Sequence, residues 1–467
     1  MKNFDLIIIG GGAGAFAAAI KANELGAKTL MINKGLPLGG TCVNVGCVPS
    51  KVLLWAGEIL HQSKYHQIPG LDIEIKNFDF TKVVQNEINL VKKMRNEKYT
   101  KVLSNLEHVT FIHGRARFVS SNTIIVNNKK YSAKKFIVAT GSTARVPKIK
   151  GINEVGFITH IEALKLKKQP KELVVIGAGP VGLEFAQMYS RFGTKVTILH
   201  SGTTILSRAE TQLTNRLHEI FEKEGIVIKT NTKVISTEKI GDKKIVNFSI
   251  NNQTEKVCAD EILLAAGKTA NTFELGLDKV EIELTEKKAI KVTPSLQTSQ
   301  PHIFAVGDVT NAPLRLETTA GQEGSIACEN ALKETNQSIN YNFVPWTIFT
   351  DPQLSSVGVT EDEQTKQLGV CACRSISFEY VPKAIMINRT EGIIKMAIHP
   401  ESRKIMGVHI LAPNAGDLIA EAMILIKNKN TIDDVIKTLP VFPTLSEAIK
   451  LVALSFTKDI KKLSCCV

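Results

Sequence analysis

Two stretches of the 467-residue chain, opening at Asp5 and Glu172, follow one plan, and that repetition constrains the fold more than any other feature. The first is a continuous apolar run, Asp5 to Ile9, a glycine turn, Gly10 to Gly14, an alanine-rich run to about Leu25, and a second apolar run, Lys28 to Ile32. The second runs from Glu172 to Ile176, through Gly177 to Gly182, on to about Phe192, and then from Lys195 to Leu199. Short apolar runs without alternation are those of strands buried on both faces, which parallel sheets provide. Glycine between strand and helix allows a tight turn and lets the helix start approach a phosphate. Each stretch therefore predicts a βαβ unit, and the pair predicts two nucleotide-binding domains.

The remaining chain is read around these units. Val84 to Leu106 is a charged helical stretch, and Phe136 to Gly141 is a strand that ends in glycine. A matching strand and glycine return at Glu261 to Gly267, and His302 to Asp308 gives a further strand with an aspartate at its carboxyl end. From about Tyr341 strand-like runs, Ile393 to Ile398 and Lys404 to Leu411, give way to helical ones, which predicts an α+β C-terminal domain. The expected division is 1–149, first part of a dinucleotide domain; 150–267, a second; 268–340, a central return to the first; and 341–467, a C-terminal domain. The fold class is α/β, with two Rossmann-like domains.

Composition narrows the function classes. Hydrophobic residues make up 43% and charged residues 22%, which is ordinary for a globular chain and far from disorder. The net charge of +13 leaves nucleic acid, a membrane surface or an acidic ligand open. No basic cluster interleaved with aromatics emerges, so nucleic acid is set aside. The apolar runs fall short of a membrane span, and the N-terminal run is too short for a secretory leader, so a cytoplasmic protein without membrane insertion is expected. Eight cysteines are too few for a disulfide scaffold of this length and read mostly as reduced thiols.

Chemistry concentrates in Gly39-Gly-Thr-Cys-Val-Asn-Val-Gly-Cys-Val-Pro-Ser-Lys51. Residues five apart in an ideal helix have Cα atoms about 8.7 Å apart, beyond disulfide reach, so a bridge between Cys42 and Cys47 needs an irregular turn. Gly46 and Pro49 permit one. A helix start and Lys51 nearby would also lower one thiol pKa. In the glycine turns, Gly10, Gly12 and the small Ala15 fill the first fingerprint, and Gly177, Gly179 and Gly182 the second. The acidic residue that holds ribose hydroxyls is missing from both. Asn33 ends the first unit; His200 ends the second, with Arg208 in the following loop. A cation and no carboxylate favour NADPH over NADH.

On these segments, together with Ala139-Thr140-Gly141 and Ile303 to Asp308, the chain resembles the flavin-dependent pyridine-nucleotide disulfide oxidoreductases over essentially its whole length. The resemblance implies FAD in the first unit, with Gly10, Gly12, Gly14, Ala15, Asn33, Thr41, Lys51, Thr140, Gly141 and Asp308 around it. It implies NADPH in the second, at Gly177, Gly179, Gly182, His200, Arg208 and Gly267. Cys42 and Cys47 would form the redox-active disulfide, Cys47 as the charge-transfer thiolate and Cys42 as the interchange thiol, with Lys51 paired to Glu184. A homodimer is implied as well.

The C-terminal segment chooses the substrate in this family. Members acting on organic disulfides carry His-Pro-x-x-x-Glu, whose histidine moves protons; here Phe442-Pro-Thr-Leu-Ser-Glu447 takes its place, so Glu447 has no histidine to orient. The ending Leu463-Ser-Cys465-Cys466, with Val381-Pro-Lys-Ala, Asn388-Arg389 and Gly392, resembles the mercuric reductase branch. Adjacent soft thiolates suit a soft metal ion. The expectation is a reductase of Hg(II)–thiol complexes with Cys42, Cys47, Cys465 and Cys466 as metal ligands. The rivals are a dihydrolipoamide dehydrogenase or related organic disulfide reductase, and a non-catalytic metal-sequestering protein of the same fold. Three features depart from that branch: no metal-binding domain precedes the first strand, Pro180 stands where a tyrosine is common, and Phe442 replaces another tyrosine. Cys371, Cys373, Cys258 and Cys328 read as packing residues, two ligands being too few for a closed metal site. His61 and His66 read as surface.

Overall fold

The computed structural model describes residues 2–464. Its first apolar run forms the strand Lys2–Ile9, which leads through the glycine turn into the helix Ala13–Glu24 and the strand Thr29–Asn33. Lys2–Ile9 lies parallel to Thr29–Asn33 on one side and to Lys129–Val138 on the other, with Ile9 opposite both Ile32 and Val138. Val109–His113 extends the sheet beyond Thr29–Asn33, and Ile303–Ala305 pairs parallel with Lys129–Val138. Leu6, Ile7 and Ile8 have no exposed surface, as an unbroken apolar strand covered on both faces requires. Ile303–Ala305 brings the chain back to this sheet only after the second nucleotide unit has been completed.

That second unit is a four-stranded parallel sheet in the order Val227–Lys229, Lys195–Leu199, Glu172–Ile176, Glu261–Leu264, among the described residues. A three-stranded antiparallel sheet, Lys233–Ile240, Lys243–Ile250 and Gln253–Ala259, packs against it around Val246 and Phe248. The helix Pro180–Arg191 begins with proline at its first position, where the missing N–H is not needed. The C-terminal region holds a five-stranded antiparallel sheet, Trp346–Ile348, Gln353–Gly358, Ile405–Ala412, Ile393–Ile398 and Cys373–Ser377, covered by the helices Ala415–Lys427 and Glu447–Leu454.

Close helix packing sets the first unit's geometry. A Cβ on Gly14 would lie 2.9 Å from the carbonyl oxygen of Ala320, and one on Gly324 would lie 2.1 Å from that of Gly14. The helices Ala13–Glu24 and Glu317–Lys333 therefore meet backbone to backbone. The charged stretch from Val84 is helical as read, but it starts at Phe80, capped by Asp79, and loosens into a π-helical turn at Asn96–Thr100. The helical stretch Gly40–Tyr65 has the length and apolar composition of a membrane span, which simple run-counting misses. It is broken at Gly46, and its second part packs against Pro180–Arg191.

Candidate functional site

The Cys42–Cys47 segment is built on that break. The helix Gly40–Val45 stops at Gly46, whose φ of −129° and ψ of −114° leave the helical region, and a new helix starts at Cys47 and runs to Tyr65. The break lets two cysteines five apart face each other. Both are free thiols in this structure. Their mutual hydrogen bond splits their acidities: it drives the Cys42 thiol far up, aided by burial, and brings Cys47 down to about 7, against burial and with help from the Lys51 cation. Cys47 is thus the thiol of the pair that ionises around neutral pH, while Cys42 keeps its proton.

The segment is fastened to the first glycine turn. Gly39 N–H donates to the Gly11 carbonyl at 2.7 Å, and a Cβ on Gly40, at φ +61°, would sit 2.6 Å from the Gly12 Cα. Asn44 is buried and donates to the carbonyls of Pro37, Leu38 and Gly40 while its own oxygen accepts from Arg95. The thiol segment is consequently held against the first glycine turn.

Lys51, one turn into the second helix, reaches across to the second unit. Its Nζ donates to both carboxylate oxygens of Glu184, at 3.0 and 2.9 Å. Glu184 is 6% exposed and also accepts from the Phe349 N–H at 2.9 Å. The Lys51 ammonium lies 4.4 Å from the centroid of the Phe349 ring. Phe349 gave no signal in the sequence, because only tertiary folding brings the C-terminal sheet to this pair.

Both glycine turns fit a dinucleotide. Neither following helix has a side-chain cap or an acidic residue in its first turn, so their N–H groups are free for an anion. A Cβ on Gly10, at φ +144°, would strike the Ala139 carbonyl at 2.2 Å, and one on Gly182 would strike the Gly177 carbonyl at 1.9 Å. Those two glycines serve the fold. A Cβ on Gly179 would meet nothing within 4 Å, and one on Gly12 only the Gly40 Cα at 3.8 Å, leaving room for phosphate. Ala15 is fully buried under the first turn.

The other sequence-predicted residues fall into place unevenly. Asn33 donates to the Leu36 carbonyl and packs on Gly11. Asp308 sits at the carboxyl end of Ile303–Ala305 and accepts from the Ser142 hydroxyl at 2.6 Å. Thr140 and Asn271 exchange hydrogen bonds, with Gly141 beside them, while Thr41 is exposed. Glu323, fully buried, accepts from the Gly307 N–H and the Tyr341 hydroxyl, bracing the Asp308 loop; the sequence gave no hint of it. In the second unit Arg208 is exposed, and Gly267 adopts φ +106°. His200 Nδ1 accepts from the Ala178 N–H, and the half-buried ring also faces the Thr204 backbone.

Glu447 starts the helix Glu447–Leu454 and accepts from the Thr444 N–H at 3.1 Å; none of its hydrogen bonds among the described residues reaches the thiol pair. Cys465 and Cys466 lie outside the described residues. Cys328 is buried as read, but the packing role fails for three other cysteines. Cys258 is exposed, because strand alternation turns Ala259 inward and its neighbour out. Cys371 and Cys373 lie at the edge of the C-terminal sheet, disulfide-bonded to each other, since residues two apart in an extended chain point the same way. His61 is half-buried, with its Nε2 3.9 Å from Glu224, and is not a free surface group.

A parallel-sheet pair of nucleotide units joined by a thiol pair and a Lys51–Glu184 bridge defines a flavin- and nicotinamide-linked disulfide reductase. Residues 4–324 match the family described as pyridine nucleotide-disulphide oxidoreductase, and residues 344–453 match its dimerisation domain. The chain belongs to that family, whose members bind FAD and NAD(P)H, and it is an oxidoreductase of the flavoprotein disulfide reductase type. It is 38% identical to the mercuric reductase of Lysinibacillus sphaericus over 99% of this chain and 84% of that one. It is 35% identical to the dihydrolipoyl dehydrogenase of Geobacillus stearothermophilus, over 95% and 94%. Among solved structures it resembles the Cu(II) complex of the HOCl-induced flavoprotein disulfide reductase RclA from Escherichia coli, with a TM-score of 0.86 and 25% identity over 98% of this chain and 100% of that one.

Proposed function

We propose that the chain is an NADPH-dependent reductase that converts Hg(II), presented as a thiol complex, to Hg(0). The observation that carries the reading is a reactive thiol pair in a chain with Phe442 where a proton-shuttling histidine would stand, and with no histidine after His409. When bound, FAD supplies the electron route from the nicotinamide to the thiols. Gly12 and Gly179 give its phosphates and those of NADPH room at the two helix starts; Arg208 would pair with a 2′-phosphate. Lys51, held in place by Glu184, sets a cation beside the Cys47 thiolate. Cys47 and Cys42 take the metal by ligand exchange: each new metal–sulfur bond releases one sulfur ligand of the complex that presents the ion, one leaving with the Cys42 proton as a thiol and the other leaving as a thiolate. Exchange on a soft ion needs no further acid or base, so the missing histidine costs nothing. Bound Hg(II) takes two electrons, those NADPH supplies, and leaves as the atom, while both sulfurs stay behind as thiolates. Cys465 and Cys466 capture the ion first, in a homodimer whose tail serves the partner's site. The reading also keeps the four-part domain division at 149, 267 and 340 and a cytoplasmic location. Support comes from similarity to mercuric reductases over nearly the whole chain.

NADPH oxidation by the FAD-loaded protein is measured with Hg(II) under excess thiol, and separately with lipoamide and oxidised glutathione. Turnover with Hg(II) alone is expected; turnover only with the organic disulfides would assign the site to them, the reading that the similarity to a dihydrolipoyl dehydrogenase favours. A protein that binds Hg(II) with no NADPH oxidation would be a sequestering protein. Cys465→Ala with Cys466→Ala leaves flavin reduction by NADPH intact and abolishes turnover at high thiol; unchanged turnover would remove the tail from the mechanism.

A further inference from the structure

We infer that Cys371, Cys373 and Glu361 form an accessory site for a soft divalent cation, separate from the Cys42–Cys47 centre and closed when its two thiols are oxidised. The Sγ atoms and the Glu361 carboxylate lie within 4.8 Å of one another. Cys371 is exposed, and Cys373 opens the strand Cys373–Ser377, which among the described residues pairs on one side only, with Ile393–Ile398. The site thus faces solvent along a sheet edge.

The surroundings hold the three donors in register. Gln364, fully buried on the helix that starts at Glu361, fixes the segment from below: its Oε1 accepts from the Ala372 N–H at 3.1 Å and lies 3.3 Å from the Cys373 sulfur. Its Nε2 donates to the Ile398 carbonyl at 2.7 Å, so the side chain cannot swing away. Once the pair is reduced, the same oxygen is an acceptor for the Cys373 thiol. Glu361 is held by an ion pair to Lys395, which also binds Glu210. The Cα atoms of the cysteines are 5.7 Å apart. Two metal–sulfur bonds of about 2.3 Å reach across at most about 4.6 Å, a span that side-chain rotation alone provides at that separation.

Two thiolates and one carboxylate leave a coordination position open, so the ion exchanges readily instead of being locked in as a structural ion. Thiolate softness selects Cd(II), Hg(II) or Zn(II) over Mg(II) or Ca(II). The chemistry balances in two steps. Two molecules of a cellular monothiol reduce the Cys371–Cys373 bond and leave as their own disulfide. The two thiols then bind one divalent cation and release two protons.

The test uses Cd(II), whose binding does not depend on the mercury reading. FAD-loaded full-length protein carrying Cys42→Ser, Cys47→Ser, Cys465→Ser and Cys466→Ser is reduced, desalted without oxygen and titrated with Cd(II) in the presence of excess Mg(II). Bound metal per chain is measured after gel filtration, and retained flavin absorbance reports the fold. One Cd(II) per chain is expected, at least tenfold less after adding Cys371→Ser and Cys373→Ser or after oxidising the pair. Glu361→Gln weakens Cd(II) binding about tenfold. Retention unchanged by the double serine variant, or no retention by the reduced parent, overturns the site; unchanged affinity in Glu361→Gln removes the carboxylate from it.

Discussion

Replacing Gly46 by alanine tests whether the broken helix sets the redox chemistry. A Cβ there would lie 2.9 Å from the Thr41 carbonyl oxygen and 3.3 Å from the Cys42 Cα. Both contacts are to backbone, so no flexible side-chain tip can yield; the Thr41–Cys42 turn itself must move away from Cys47. Insertions of this kind into packed regions cost about 1–3 kcal/mol. The thiol form, joined by a hydrogen bond, tolerates a longer sulfur separation, whereas a disulfide has narrow geometry, so the strain falls on the oxidised form. At about 30 mV per 1.4 kcal/mol, the potential of the pair should rise by ~20–65 mV. The variant and parent are equilibrated in dithiothreitol or glutathione redox buffers, quenched by alkylation and scored by mass. A potential within about 10 mV of the parent in a folded, FAD-loaded variant, or a shift the other way, would refute the argument.

Alkylation of Cys47 should follow a titration with its midpoint at about 7, and Lys51→Met should move that midpoint upward because a cation that favours the thiolate is gone; an unmoved midpoint would take Lys51 out of the thiol's field. Asp351 accepts from Arg191 at 2.9 Å and also pairs with Arg389, and it is 8% exposed. Asp351→Asn should cost about 3–5 kcal/mol in urea unfolding, as loss of one partner from a buried ion pair does; a change under about 1 kcal/mol would contradict this. Burial alone would raise the Asp351 carboxyl, but the two guanidinium groups leave it below the ordinary range. Its contribution is therefore complete above pH ~4 and fades as pH falls through the lowered folded value, so the asparagine variant should lose less stability over that acid range than the parent.

The parts of this structure that could be read from the sequence are those in which one short segment dictates its own geometry. Gly10 and Gly182 must be glycine because a side chain would strike a carbonyl, and such positions announce themselves beside an apolar run. The thiol pair was legible because five-residue spacing and Gly46 together imply a break. Phe349, Glu323 and the Lys395 ion pairs were not, since each acts on residues far away in the chain. Cys371 and Cys373 were misread for a different reason: two cysteines at a sheet edge and two in a core share the same spacing, and only the edge position and Glu361 distinguish them. His200 stands where a ribose-binding residue was sought, but its ring turns back onto the Ala178 N–H.

Residues 349–351 grip the helix Pro180–Arg191 at both ends. The Phe349 N–H holds Glu184 in the first turn, while the Asp351 N–H bonds Gln187 and its carboxylate holds Arg191 in the last. The helix that presents the second glycine turn is thus tied at Glu184, Gln187 and Arg191 to the segment that follows the strand Trp346–Ile348, and through Lys51 to the thiol segment. The second glycine turn and the Cys42–Cys47 segment therefore share one chain of anchors, so a change at Phe349 or Asp351 is felt at both.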